Sequence, residues 1–343
     1  MERNLNPLRF ALAAVIALGV LLGASIMLPH DRYYRFQAYD NVTTRKADWI
    51  YERLHFDPTP IDVALIGTSR TGGGLSAPLI ERAYCKATGR RIRVANLGLP
   101  ETGRNMHYLL AREAAKTKAP ALTIVELNDV ETRKPHSGFV FLADARDVLT
   151  APAAINLNYL SDLIRLPGRQ AALFAQTIFG QPALRKTFDP QAYAGAHMDR
   201  TTVQIAIDGG VKSRDVVRSR DDMNALRARR MQNVSPTWLA PEPLRFLEYR
   251  FSKAYLNRIE HAANDVAYVY LPAYGEPAPA QQLLTALEID ERIIDLGGAA
   301  ALDPSLWLDA THFNAEGARD ASLRLADALA RAHPTLGAAQ VCE

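Results

Sequence analysis

Two short blocks, far apart in the chain, hold side chains that together could carry out acyl transfer. In the first, the apolar residues 63–66 run into Gly67-Thr68-Ser69-Arg70, a turn that presents a hydroxyl. In the second, Asp309 and His312 share the short loop Asp309-Ala310-Thr311-His312, just before a helix-like stretch. A serine hydroxyl is a weak nucleophile until a neighbouring base takes its proton, and an imidazole serves best when a carboxylate orients it. Ser69, His312 and Asp309 supply those three groups. Taken singly, each has a plainer reading: Ser69 as turn chemistry, Asp309 as a cap, His312 as a histidine bonded to backbone.

The elements must bring these blocks together. Residues 61–67 read as a buried strand, 77–88 as a helix capped by Ser76 with Pro78 in its first turn, and 91–97 as a second strand. A helix over 104–118 and a third strand over 122–127 follow. Apolar strands alternating with helices imply right-handed βαβ crossovers and a parallel sheet. From 131 to 243 the pattern loosens into an insertion, helical in tone over 151–179, with a short strand at 202–207. The alternation returns with a helix at 244–263, a strand at 266–271 and a last helix at 315–332.

In open parallel sheets, ligands bind beyond the carboxyl ends of the strands. Ser69 follows the first strand, Asn96-Leu97-Gly98 ends the second and Asn128-Asp129 ends the third. The Asp309/His312 loop precedes the final helix, so four distant segments meet on one rim. Gly72-Gly73-Gly74 lacks the Lys-Ser/Thr of a phosphate-binding loop and reads as slack that lets substrate approach Ser69. Arg70 and Glu126 stand beside the site, either as an ion pair or as separate solvated groups.

Charge is nearly balanced, with 40 basic and 37 acidic side chains and a net charge of +3. That balance, without any nucleic-acid motif, argues against a nucleic-acid partner. The basic stretch 211–230 reads either as a solvated helix or loop, or as a contact surface for anionic glycan, lipid headgroup or a membrane partner. Residues 10–28 are apolar and uncharged, about the length a helix needs to cross a bilayer, and Arg3 and Arg9 precede them. An uncleaved anchor is the favoured reading; a signal peptide cleaved near Gly23, Ala24 and Ser25 is the rival. Residues 1–9 are then cytoplasmic, 10–29 the transmembrane anchor, 30–59 a juxtamembrane segment, 60–335 the α/β domain and 336–343 a tail. Neither Cys85 nor Cys342 has a neighbour at metal-ligand spacing, so no zinc site is expected. The first and last helices of the domain fall on one sheet face and end at the same edge. A Cys85–Cys342 disulfide is therefore geometrically open, and the sequence leaves both outcomes standing.

At these residues the chain resembles the SGNH (GDSL-like) hydrolase superfamily. Its members carry a serine after the first strand, a glycine after the second, an asparagine after the third and an Asp-x-x-His block near the C-terminus. The matching residues are Ser69, Gly98, Asn128, Asp309 and His312. The resemblance implies a flavodoxin-like three-layer α/β/α sandwich with a parallel sheet, here preceded by one transmembrane helix, and chemistry without a cofactor. It also implies that Ser69 is the nucleophile, His312 its base and Asp309 the orienting acid. The Ser69 and Gly98 amides with Asn128 would form the oxyanion hole. Gly67-Thr68-Ser69 stands where the family has Gly-Asp-Ser, and Glu126 stands where it has a glycine. An α/β-hydrolase elbow is a poorer match, because Thr71 stands where that motif needs glycine.

An anchored, exported domain of this kind is similar in layout to membrane-tethered proteins of bacterial polysaccharide acylation, such as those of alginate O-acetylation and teichoic-acid D-alanylation. The resemblance implies an esterase or acyltransferase at the bacterial inner membrane, single-pass, with its catalytic domain in the periplasm or outside the cell. Its partners would be an acylated or acceptor polysaccharide and a polytopic membrane O-acyltransferase. Two alternatives stand beside it: a general periplasmic esterase or lipase, and a catalytically degenerate scaffold assisting a membrane acyltransferase.

Overall fold

The computed structural model describes residues 7–39, 46–127, 134–151, 156–182, 184–205, 210–233, 244, 246–289, 292–339 and 342. The chain divides into two compact units, Met1–Tyr39 with Gly138–Asp189, and Asp40–Ser137 with Pro190–Glu343.

The smaller unit is helical, with α1 (Pro7–Ile26), α2 (Arg32–Ala38), α7 (Phe139–Leu142), α8 (Ala145–Leu149) and α9 (Tyr159–Phe179). α1 is long and apolar enough to cross a membrane, and none of its apolar stretch is buried. α9 buries Asp162, Leu166, Gln170 and Leu173, one side of a 3.6-residue repeat. It meets the end of α1 through Gln170, whose Nε2 donates to the Ile26 carbonyl at 3.0 Å. The Asp31 amide donates to Thr177 Oγ1 at 2.9 Å, and Arg35 pairs with Asp144 at 2.5 Å.

The larger unit is α/β. Its sheet strands are β1 (Val63–Ile66), β3 (Val94–Asn96), β4 (Leu122–Leu127), β7 (Val266–Tyr270) and β8 (Ile293–Asp295), all parallel, in the spatial order β3-β1-β4-β7-β8. Counted among themselves along the chain, these strands lie in the order 2-1-3-4-5, a doubly wound arrangement compatible with a three-layer α/β/α fold. β1, β3, β4 and β7 are buried at every position, which is why their sequences are apolar runs rather than alternating ones. On one face Val63, Leu65, Ile124 and Val269 pack with Ile80 and Tyr84 of α5 (Ala77–Thr88) and with Leu325 and Leu329 of α13 (Ala315–Ala332). The opposite-facing Ala64, Ile66, Val125 and Tyr268 are equally buried. α6 (Arg104–Thr117) packs against β1 and against α11 (Phe246–Ala262).

Local signals set most of these boundaries. Pro78 lies in the first turn of α5, and Gly89, with φ +68°, closes its C-terminus in the left-handed region. Ser76 occupies the N-cap position without capping; its hydroxyl donates to Asp199 instead. The side chain of Asn314 caps α13 by accepting from the Gly317 amide at 2.9 Å.

Cys85, in the last turn of α5, is disulfide-bonded to Cys342, with Cα atoms 5.8 Å apart. Beside it β2 (Arg90–Arg91) pairs antiparallel with β9 (Ala338–Ala339). Beyond Ser76, further features differ from the sequence expectation: residues 91–97 are not one strand, since Arg90–Arg91 pair with Ala338–Ala339 and only Val94–Asn96 join the main sheet. β8 went unrecognised, because its two isoleucines fall in a charged neighbourhood too short to show a period. The 131–243 insertion is also not one block. Residues 138–189 belong with α1, whereas 190–243 belong with the sheet. The latter part supplies the hairpin β5 (Val203–Ile205) and β6 (Val211–Ser213) and the helix α10 (Arg220–Asn233).

Candidate active site

Ser69 opens the short helix α4 (Ser69–Gly74) directly beyond β1. The turn is held by Glu126 of β4, a fully buried carboxylate that the sheet register, Ile66 opposite Val125, sets beside Gly67. Glu126 accepts from the Thr68 amide (2.7 Å) and hydroxyl (2.8 Å), and from the Thr71 amide (3.2 Å) and hydroxyl (2.5 Å). This contact is possible only because residue 67 is glycine: a Cβ there would overlap Thr71 Oγ1 and the Glu126 carboxylate. Gly98 is constrained likewise, since its Cβ would lie 2.7 Å from the Gly72 amide and 2.9 Å from the Thr68 carbonyl.

His312 arrives on a tight loop. Trp307 and Phe313 bridge antiparallel with rings 4.5 Å apart, and the Leu308 amide donates to the His312 carbonyl at 2.9 Å. Inside this loop Asp309 Oδ1 accepts from the Thr311 amide (2.8 Å) and the His312 amide (3.0 Å). The same carboxylate lies against His312 Nδ1, with Oδ2 at 2.9 Å. The Asp-x-x-His spacing thus lets one side chain shape its own loop and orient the imidazole. Burial alone would raise the Asp309 carboxyl, but the His312 bond and charge and the Thr311 donors outweigh it and hold it well below the usual carboxylate range. His312 Nε2 reaches Ser69 Oγ at 2.8 Å. Ser69, His312 and Asp309 therefore stand in hydrogen-bonded line, an arrangement that could take the proton from a serine hydroxyl attacking a carbonyl.

A cavity of about 270 Å³ opens over Ser69 and His312. Gly72, Gly98, Lys46, Arg200 and Arg214 contribute to its wall. Lys46 is buried, donates to Asn96 Oδ1 at 3.3 Å and lies 5.4 Å from the Trp49 ring centre. Burial, with a smaller push from Arg200, brings its ammonium down to about 7. Arg214 is also buried; it donates to the Phe313 carbonyl, and its Nε has no partner among the described residues. Arg200 donates to Met198 Sδ at 3.4 Å, and its Nε is likewise without a partner among the described residues. None of these three cations is in an ion pair among the described residues.

Of the expected oxyanion donors, the Ser69 amide has no acceptor among the described residues, whereas the Gly98 amide donates to Asn96 Oδ1 at 3.1 Å. Asn128 lies outside the described residues. Arg70 and Glu126 do not pair and do not line the cavity: Arg70 donates to the Leu271 carbonyl at 3.2 Å, while Glu126 serves the turn. The basic stretch is divided in its duties. Arg214 and Arg218 hold the Asp309/His312 loop, Arg218 Nε donating to the Leu308 carbonyl at 3.1 Å, and Arg230 pairs with Glu276 at 2.6 Å. Lys46 and Arg200 were not singled out in the sequence, where nothing local distinguishes them from other basic residues. No protein-family model matches the chain, and no curated protein matches it significantly.

Proposed function

We propose that this chain is an exported, membrane-anchored SGNH-like serine esterase or acyltransferase, acting on O-acyl groups, O-acetyl above all, of an envelope polysaccharide. The observation that carries this reading is the line Ser69 Oγ–His312 Nε2–Asp309, at 2.8 and 2.9 Å, at the rim of a parallel sheet ordered 2-1-3-4-5. That order suits the flavodoxin-like sandwich of the superfamily. The apolar run of α1 from Phe10, preceded by Arg3 and Arg9, favours an inner-membrane anchor with the rest outside, and the disulfide suits an oxidising compartment.

In the mechanism, His312 Nε2 takes the Ser69 proton as Oγ bonds to the ester carbonyl carbon. The oxyanion is assigned to the Ser69 amide, to Asn128, and to the Gly98 amide once it releases Asn96. Collapse breaks the bond to the alcohol oxygen, which leaves with the proton from His312. A sugar hydroxyl or water, deprotonated by His312, then takes the acyl group and restores Ser69. Fixed donors aimed at an oxyanion are each worth about 10²–10³ in rate. Lys46, Arg200 and Arg214 suit a glycan bearing negative charge near the reacting oxygen.

The test is intact-mass analysis after treatment with a fluorophosphonate, with Ser69→Ala and His312→Ala alongside. The expected result is a single adduct on Ser69 that requires His312, formed more slowly in the presence of an oligouronate than of a neutral oligosaccharide. A folded protein that takes no adduct would instead support the scaffold reading, which the engaged Gly98 amide favours.

A further inference from the structure

α9 has two apolar sides, and only one is used. Asp162, Leu166, Gln170 and Leu173 are buried within the helical unit. At 100° per residue, Leu160, Ile164, Ala171 and Ile178 form a stripe on the opposite side. That stripe is open to solvent: Leu160 is 70% exposed, Ile164 79% and Ile178 54%, and Phe179 at the end of the helix is 83% exposed. Leu157, just before the helix, and Phe141 and Leu149 of the same unit are exposed as well. Soluble surfaces scatter single apolar residues, but a contiguous stripe of this kind marks a surface that is covered in use.

Its place relative to α1 identifies the cover. α1 has 20 residues, which at 1.5 Å each span about the hydrocarbon thickness of a bilayer. Its end, Ile26, therefore emerges where acyl chains give way to headgroups. That end is where α9 is attached, at its midpoint by Gln170 to the Ile26 carbonyl and about two helical turns later by Thr177 to the Asp31 amide. Gln170 projects to one flank of α9, between the buried side and the stripe. These bonds hold α9 at the end of α1, with its buried side turned to the unit's interior and the stripe turned away from it. Arg165, exposed, lies on the flank of α9 opposite Gln170.

We infer that α9 is a membrane-surface helix whose Leu160–Ile164–Ala171–Ile178 stripe is seated in the acyl–headgroup boundary of the phospholipid bilayer that α1 enters. This rests on the anchor reading of α1. Together, one helix across the membrane and one along it would hold the unit at a fixed height instead of on a swivelling tether.

The test uses the full chain in phospholipid nanodiscs, with an environment-sensitive fluorophore on Ile164→Cys, Ile178→Cys, Leu18→Cys and, as a solvent control, Arg319→Cys. Cys85 and Cys342 are bonded to each other and leave the new thiols unique. The expected result at 164 and 178 is blue-shifted emission, shielded from aqueous iodide and quenched by doxyl lipid labelled near the headgroup more than by lipid labelled near the chain end. Iodide quenching at 164 and 178 equal to that at 319 would overturn the inference. Shielding from iodide without doxyl quenching would also overturn it, by showing a protein occupant. The Leu18 label reports on the anchor separately: quenching by the chain-end doxyl supports a span, and aqueous emission defeats that reading alone.

Discussion

At the scale of single residues, the site depends on charges held in unusual states. Asp309 is depressed below the ordinary carboxylate range by His312 and Thr311, so its ionised form adds stability above about pH 4 and is lost only as pH falls through the lower folded value. Asp309→Asn keeps an acceptor for the loop amides but offers His312 Nδ1 an N–H in place of a charge, favouring the wrong tautomer. Turnover of a chromogenic acetate should fall about 10³–10⁴-fold, while loss of the charge lowers the melting temperature at pH 7 without unfolding the chain. A loss of turnover no greater than the loss of folded protein would make Asp309 a loop residue only. Lys46 is displaced the other way, from 10.5 to about 7, chiefly by burial. The folded chain then binds fewer protons than the unfolded one between those values, and stability rises with pH across that window. Lys46→Met should therefore melt higher than the parent at pH 6, with the gain gone by about pH 10. Paired melting curves across pH check this, and a gain independent of pH would count against it.

At the scale of elements, the Gly67–Thr71 turn is a joint between β1, α4 and β4. Glu126 gathers two amides and two hydroxyls of that turn in a site without solvent. Each buried donor left without an acceptor costs about 1–3 kcal/mol. The two hydroxyls can rotate away but the two amides cannot, so Glu126→Ala should lower unfolding free energy by roughly 2–6 kcal/mol, read from urea titration, and abolish labelling of Ser69. A stable variant that still labels would show that the turn holds by itself. Much of this level is legible in the chain. The apolar runs 63–66 and 122–127, Pro78 and Gly89 around α5, and the Asp-x-x-His loop all follow local rules of burial, capping and turn geometry. The role of Glu126 is not legible, because a carboxylate at the end of a strand reads as a solvated group until the neighbouring strand is placed beside it.

At the scale of the whole molecule, the Cys85–Cys342 bond closes a loop of 257 residues and ties the C-terminal segment to α5. Cross-links of this kind typically contribute about 2–4 kcal/mol by restricting the unfolded chain. Cys342→Ser should lower stability by about that amount in denaturant titration, and strong reductant should bring the parent to the same midpoint. A variant as stable as the oxidised parent would mean that the tail is held by β2 and β9 without the bond. The sequence by itself determined an α/β chain with a parallel sheet, an apolar N-terminal helix, and a serine and a histidine delivered to element ends. Those properties follow from periods and end signals that neighbouring residues impose on one another. Only the tertiary structure decided that the long insertion is shared between two units, that Lys46, Arg200 and Arg214 wall one cavity, and that Glu126 braces the turn instead of pairing with Arg70. Each of these is a meeting of segments far apart in sequence, where burial and facing charges set the chemistry and no local pattern records the partner.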